Sequence, residues 1–382
     1  MNSYRILFLT SSLRSGGAEN HLLNLCRFII SRGHEAAVCT ISPIEDGLES
    51  HLLVEGVELN RVPLSSLKGF FLPGTLASLR RIVNRVEPDL LHAHLFYGEV
   101  LGWIVSRFTD APLITTRHSS GLEFEGWRRI AAKMMRRRFE AVIAVSDEVE
   151  RESRSLGYRD DVIQLIPNAI DTTRFRPLEG EERRKRRAEL LGRFFPDAAE
   201  DTPIVGSAGR LKRVKNFPLL VKLAARFMEW EGPGPAPRFL VFGDGPERQN
   251  LSRLIDEAGA GERIALAGHA DRMEDLYPLL DIFLLVSKSE GTPLALLEAM
   301  ACRVACVASD VGGVGAAVED AGMTVRPGDE EGFASAVRAL VVDQQRRSEL
   351  ARRARVRILE RYDMDAWGER ILKVYHSLLE QS

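Results

Sequence analysis

Short runs rich in β-branched residues and leucine alternate with longer helical patterns along the whole chain, and the alternation breaks only once, near residue 170. Before the break, strand-like runs fall at 5–9, 35–41, 57–62, 89–93, 112–116, 141–145 and 162–166, with helical patterns such as 18–32, 74–86 and 127–139 between them. After it they fall at 204–208, 238–242, 264–266, 282–286, 304–308 and 323–325. The chain then finishes helically over about 329–342, 345–360 and 365–379. Strands that alternate with helices build βαβ units, and hence parallel sheets covered on both faces. At about 100–200 residues per domain, a chain of 382 residues also calls for two domains. The expected architecture is α/β, with two Rossmann-like domains in series, 1–170 and then 171 onward. The joint is Pro167-Asn168-Ala169-Ile170-Asp171, followed by Arg176-Pro177 and a charged run over 179–189 that reads as a solvated helix or linker. Open sheets of this kind take ligands outside the carboxyl ends of their strands, so the crevice between the domains is the expected site.

Composition narrows the function by exclusion. The net charge is −2, and dividing the chain near Pro177 leaves both halves close to neutral, which argues against nucleic acid as a partner. The four cysteines, Cys26, Cys39, Cys302 and Cys306, lie in apolar stretches and make neither a paired framework nor a complete metal set. They read as small core residues of a protein in a reducing compartment. The run at 4–10 turns polar at once, as a first buried strand does and a signal peptide does not. No stretch approaches the roughly 18 apolar residues of a membrane span. The expected location is cytoplasmic, with peripheral attachment at the inner face of a membrane as the other possibility.

The segment most informative for chemistry is Ser287-Lys-Ser-Glu290-Gly291-Thr292-Pro293 followed by Leu-Ala-Leu-Leu-Glu298. A loop leaves a buried strand; Thr292 suits a helix cap and Pro293 the first helical position, where a missing N–H costs nothing. Glu290 then sits on the loop and Glu298 in the second helical turn. Free amides at the helix start suit a phosphate, and the carboxylates suit sugar hydroxyls. Ordinary helix-start acids complementing the helix dipole fit the same spacing. The second segment, Gly209-Arg210-Leu-Lys-Arg-Val-Lys215, follows an apolar strand directly. Arg210 can fork two oxygens of a diphosphate while Lys215, opening the next helix, supplies a point charge; solvated loop cations are the competing reading. Gly243-Asp-Gly245-Pro is a tight turn after a strand.

In the first half, Gly16-Gly17 follows the first strand at a helix start, where backbone amides can approach a ligand closely or simply join loop to helix. The run lacks the G-x-G-x-x-G spacing of a dinucleotide fingerprint, which counts against a dehydrogenase. His118 ends one strand; His92 and His94 end another. The latter two share a face and could hold a metal, but no third ligand is evident nearby in sequence. Asp363-Met-Asp365 lies at the start of the last helix, where aspartate is a routine cap, so no metal site is expected there.

Taken in order, Gly16-Gly17-Ala-Glu, His118, Pro167-Asn168-Ala-Ile-Asp, Arg210…Lys215, Gly243-Asp-Gly-Pro and Glu290-x₇-Glu298 resemble the large retaining glycosyltransferase family numbered four, which has the GT-B fold. The resemblance reaches Tyr362…Trp367…Tyr375 and implies that a final helix over 364–382 crosses back to complete the first domain, leaving 171–363 as the donor domain. It implies a nucleotide-sugar donor, UDP-linked in the first instance and GDP-linked in the second, and no cofactor and no essential metal. It implies that Arg210 and Lys215 hold the diphosphate and stabilise its charge as it departs. Glu290, with Gly291 and Thr292, would contact the transferred sugar and Glu298 the ribose. Gly16 and Gly17 would border the phosphates or the acceptor, and His118 would face the reacting centre. His94 and Asn168 are assigned to the acceptor side.

The chain departs from the family pattern twice. Relatives often read Ala-Cys-Gly-x-Pro-Val where this chain has Ala-Cys302-Arg303-Val-Ala-Cys306, and Gly-Gly-Val-Pro-Glu where it has Gly312-Gly313-Val-Gly315-Ala316. Both changes bear on donor choice more than on reaction class. The resemblance implies as acceptor a saccharide or a lipid-linked saccharide of envelope or polysaccharide synthesis. For the lipid-linked case the segment from Trp127 to Phe139 is relevant, with Arg129, Lys133, Arg136 and Arg137 on one face and Trp127, Ile130, Ala131 and Met134 on another. Such a helix can lie on anionic lipid, with Phe70-Phe71-Leu72 as a further apolar contact, or pack against the core. Two other activities share these phosphate contacts: a sugar-nucleotide epimerase of the same fold, and a non-catalytic sugar-nucleotide-binding subunit.

Overall fold

The structure is a computed structural model that describes residues 3–14, 16–42, 47–64, 67–118 and 126–380. Contacts divide it into two compact units, Met1–Asn168 with Asp365–Ser382, and Ala169–Met364.

The first unit is built on a parallel sheet of seven strands: β1 (Arg5–Thr10), β2 (Glu35–Thr40), β3 (Glu58–Arg61), β4 (Leu90–His94), β5 (Leu113–Arg117), β6 (Ala141–Ala144) and β7 (Ile163–Leu165). Their order in the sheet is β3-β2-β1-β4-β5-β6-β7, so the direction of winding reverses between β1 and β4. The central strands are buried on both faces, which is why they read as continuous apolar runs and not as alternating ones. The helix Met364–Leu379 belongs to this unit and packs on the helix Gly17–Ser31. Gly368 lets the two approach: a Cβ there would stand 2.5 Å from the Phe28 ring. Arg32 pairs with Glu369 at 2.8 Å and with Asp365 at 3.4 Å along the exposed side of the same contact.

The second unit repeats the plan with six parallel strands: β8 (Ile204–Ala208), β9 (Arg238–Phe242), β10 (Ile264–Gly268), β11 (Ile282–Leu285), β12 (Ala305–Ser309) and β13 (Met323–Val325). The order β10-β9-β8-β11-β12-β13 places its reversal between β8 and β11. Successive residues of β9 feed opposite cores, Leu240 and Phe242 on one face, Phe239 and Val241 on the other, as the two-residue period of a strand requires.

Two local expectations are corrected. The segment 127–139 is not one helix: an α-helix covers Trp127–Met135, a single 3₁₀ turn covers Arg136–Arg138, and Phe139 is extended and buried. The helix after Glu290 runs Leu294–Ala301, so Pro293 is its extended N-cap residue and not its first turn, and no side chain caps it. Among the described residues, no helix is long and apolar enough to cross a membrane.

Candidate functional site

In the second unit the sheet's reversal gathers the loops after β8 and β11. The β8 loop is pinned first to its other neighbour. Gly209 donates to the Phe242 carbonyl at 3.0 Å and Leu211 to the Asp244 carbonyl at 2.9 Å. The backbones are so close that a Cβ on Gly243, whose φ is +132°, would lie 2.0 Å from the Gly209 oxygen. Only glycine fits, which gives Gly243-Asp244-Gly245 a packing role that its sequence alone left weak.

Arg210 lies half-buried two residues beyond β8. Lys215 closes a 3₁₀ turn, Arg213–Lys215, and the next helix begins only at Pro218, so Lys215 precedes that helix and does not open it. The Lys288 amide donates to the Val214 carbonyl at 2.8 Å, tying the β8 loop to the β11 loop. Across that tie the Lys215 ammonium donates to Glu290 Oε1 at 2.7 Å, with both side chains largely sheltered from water. The β12 loop fixes Glu290 from the other side. Gly313 donates to the Gly291 carbonyl at 2.8 Å, and a Cβ on Gly312 (φ +55°) would stand 1.7 Å from the Glu290 oxygen. Gly291 and Thr292 are buried in the same loop.

The amides at the start of Leu294–Ala301 carry the positive end of a helix with no side-chain cap, the arrangement that anions seek. Glu298, one turn in, accepts from the Tyr277 hydroxyl at 2.9 Å. Burial pushes its carboxyl up to about 7, against the pull of that hydrogen bond and of Arg174. Cations, an acid held part-protonated and a helix start therefore share one end of one sheet, with hydroxyl and phosphate partners as the natural ligand chemistry.

The first unit has its own cluster at the corresponding end. Gly16 is the extended N-cap residue of Gly17–Ser31, and among the described residues nothing lies within 4 Å of a Cβ built on Gly17. Crowding therefore does not require the second glycine, whereas a Cβ on Gly16 would stand 2.5 Å from the Glu19 carboxylate. His94 ends β4 and His118 follows β5; His94 Nδ1 and His118 Nε2 share a hydrogen bond of 3.0 Å. Asn168 Oδ1 lies 2.8 Å from Nδ1 of His21, in the second turn of the first helix. The His21 ring meets His118 edge-on at 4.7 Å and Trp367 at 4.9 Å. Burial drives His21 down to about 4 and His94 and His118 well below the usual histidine range, so all three are neutral near pH 7.

The third candidate ligand that the sequence did not reveal is His21, whose nitrogen lies with those of His94 and His118 inside a 4.8 Å span. His92 is not part of the set, because Tyr375 and Thr116 occupy both of its nitrogens at 2.6 and 2.8 Å. The available signal for His21 was its spacing: four residues after Gly17, it lies on the same helix face.

Two family models match the chain, Glycosyltransferase Family 4 over residues 15–174 and Glycosyl transferases group 1 over residues 192–357. The chain belongs to glycosyltransferase family 4. The first model covers most of the strands of the first unit, and the second spans Arg210, Lys215, Glu290 and Glu298. Among relatives, this glycosyltransferase is 29% identical to the D-inositol 3-phosphate glycosyltransferase of Nocardia farcinica over 89% of its own length and 80% of the relative's. It is 28% identical to the phosphatidyl-myo-inositol mannosyltransferase of Mycolicibacterium smegmatis, covering 95% and 90%. Its fold matches the Anabaena protein HepE, solved in complex with UDP-glucose, with a TM-score of 0.85 and 22% identity over 98% of this chain and 100% of that one. The fold class is that of the GT-B glycosyltransferases, with two Rossmann-like parallel sheets.

Proposed function

We propose that this glycosyltransferase binds a nucleotide-sugar, UDP-linked before GDP-linked, at the carboxyl end of the second unit's sheet, and transfers the sugar with retention of anomeric configuration. The observation that carries this reading is the Lys215–Glu290 pair, which lies where the sheet reverses and beside an uncapped helix N-terminus. Arg210 and Lys215 hold the diphosphate, Glu290 accepts from the sugar hydroxyls, and Glu298 accepts from the ribose. As the bond from the anomeric carbon to the diphosphate oxygen breaks, negative charge grows on the leaving group, and two fixed cations stabilise it without an essential metal. The acceptor oxygen bonds to the same face of the anomeric carbon, and its proton passes to a donor phosphate oxygen. In the resting enzyme Lys215 is neutralised by Glu290, so donor binding exchanges one ion pair for another. HepE was solved with UDP and glucose, which supports a UDP-linked donor.

The acceptor is a saccharide or lipid-linked saccharide recognised at the end of the first unit's sheet by His118, His94 and Asn168. Support for a lipid-linked acceptor comes from the helix Trp127–Met135. Its Trp127, Ile130 and Met134 are 49%, 64% and 72% exposed, with Lys133 and Arg137 exposed beside them. Phe71 and Leu72 are 62% and 56% exposed. Apolar side chains flanked by cations suit an anionic bilayer surface. Arg136 is excluded from that role because its guanidinium Nε donates to the Gly157 carbonyl at 3.0 Å.

The test is a thermal-shift panel of UDP-, GDP- and ADP-sugars, followed by incubation of the best binder with saccharide and lipid-linked acceptors and assignment of the new anomeric signal by NMR. The expected result is a shift with a UDP-sugar and a retained configuration. A product of inverted configuration overturns retention. A new sugar nucleotide formed without acceptor overturns transfer in favour of epimerisation.

A further inference from the structure

We propose that His21, His94 and His118 form a binding site for one divalent transition-metal cation, Zn²⁺ foremost, and that occupancy of this site inhibits transfer. The inhibitory half rests on the acceptor role given to His94 and His118 above; the binding half does not.

Geometry comes first. One ring nitrogen of each histidine lies within 4.8 Å of the others, so some point sits within about 2.8 Å of all three, and small ring rotations reach the 2.0–2.1 Å of a zinc–imidazole bond. Two nitrogens are also buried without a hydrogen-bond partner among the described residues, Nε2 of His21 and Nε2 of His94. A buried polar atom left unpaired costs free energy, and a cation that takes its lone pair removes that cost.

The surroundings then favour a soft cation over an anion or a hard one. Asn168 Oδ1 lies 2.8 Å from His21 Nδ1 and can only accept, so the proton sits on Nδ1 and the lone pair on Nε2 faces the cluster. A metal-binding histidine is oriented in this way by an outer hydrogen bond. The set offers imidazole alone, which suits zinc, copper or nickel and not magnesium or calcium. His118 is half-buried, which leaves room for water as a fourth ligand. A cation held there engages the His94 and His118 rings, so neither is free for an acceptor hydroxyl.

The experiment uses the whole chain, stripped with a chelator and titrated with ZnCl₂ by calorimetry, and in parallel with CoCl₂ by visible absorption. The expected result is one ion per chain and cobalt bands of four-coordinate intensity. Binding should be abolished in His118→Ala and His21→Ala, weakened about 10–100-fold in Asn168→Ala, and unchanged in the exposed His269→Ala. Circular dichroism checks each fold; if His21→Ala does not fold, His118→Ala and the cobalt spectrum of the wild type carry the test. Absence of binding, or binding that survives both histidine variants, overturns the site. Zinc binding that leaves turnover unchanged overturns the inhibition and keeps the site.

Discussion

Glu298 carries a carboxyl whose anion the fold disfavours, and glutamine in its place removes that penalty. Burial is the largest cause and raises its pKa from 4.5 to about 7; the Tyr277 hydroxyl and Arg174 pull it back, and Glu274 adds to the rise. Below pH 4.5 the folded and unfolded chains both hold the proton and no stability is lost. From pH 4.5 to 7 the unfolded chain releases it while the folded chain keeps it, so stability falls as pH rises, and the loss is complete above 7. At about 1.4 kcal/mol per pH unit the full loss is roughly 3 kcal/mol, and the side chain's partial exposure trims it to about 2 kcal/mol. Glu298→Gln should therefore match the wild type near pH 4.5 and be more stable by about 2 kcal/mol near pH 8. That corresponds to about 4–8 °C in the melting of a unit this size. Scanning calorimetry across that range is the assay. Equal melting near pH 8, or a gap that narrows as pH rises, refutes the reasoning. Donor binding should move the other way, about tenfold weaker, because a carboxylate is the stronger acceptor for a ribose hydroxyl. A stabilising change that costs affinity is what a functional site imposes.

Arg303 sits at φ +61° just past the helix Leu294–Ala301, where Val304 donates to the Ala299 carbonyl and Arg303 to Met300 in a Schellman closure that favours glycine. Its exposed pair with Glu179 offsets little, so Arg303→Gly should raise stability by about 0.5–1 kcal/mol in urea unfolding; destabilisation would contradict this. Gly312→Ala should displace the Glu290 loop and lower donor affinity at least about tenfold while the first unit melts as before, since a 1.7 Å approach to the Glu290 carbonyl has no side-chain solution. Lys133→Glu with Arg137→Glu should abolish co-sedimentation with anionic liposomes and spare neutral ones; retained co-sedimentation would remove the membrane surface from the account.

The fold was legible because a parallel sheet buried on both faces writes its strands as apolar runs, and each of the runs from 5–9 to 323–325 overlaps an observed strand. The candidate residues were legible for a related reason: open sheets bind at the carboxyl ends of strands, and Arg210, Glu290, His94 and His118 all sit there. What stayed hidden depends on contacts between distant segments. Nothing in Asn20-His21-Leu22 announces a meeting with His118 across 97 positions of chain, since packing of the first helix on its sheet decides it. The Lys215–Glu290 pair is likewise a product of the β8–β11 reversal. The early end of the helix at Met135 reflects Phe139 turning into the core, which takes the chain out of helical geometry before the arginine run is complete.

The most direct measurement is calorimetric titration of UDP-glucose into the wild type and into Lys215→Ala at moderate salt. One donor should bind per wild-type chain, and Lys215→Ala should bind at least about tenfold more weakly, because a charge-assisted contact to the diphosphate is lost. Equal affinity in the two proteins would contradict the placement of the donor diphosphate on Lys215.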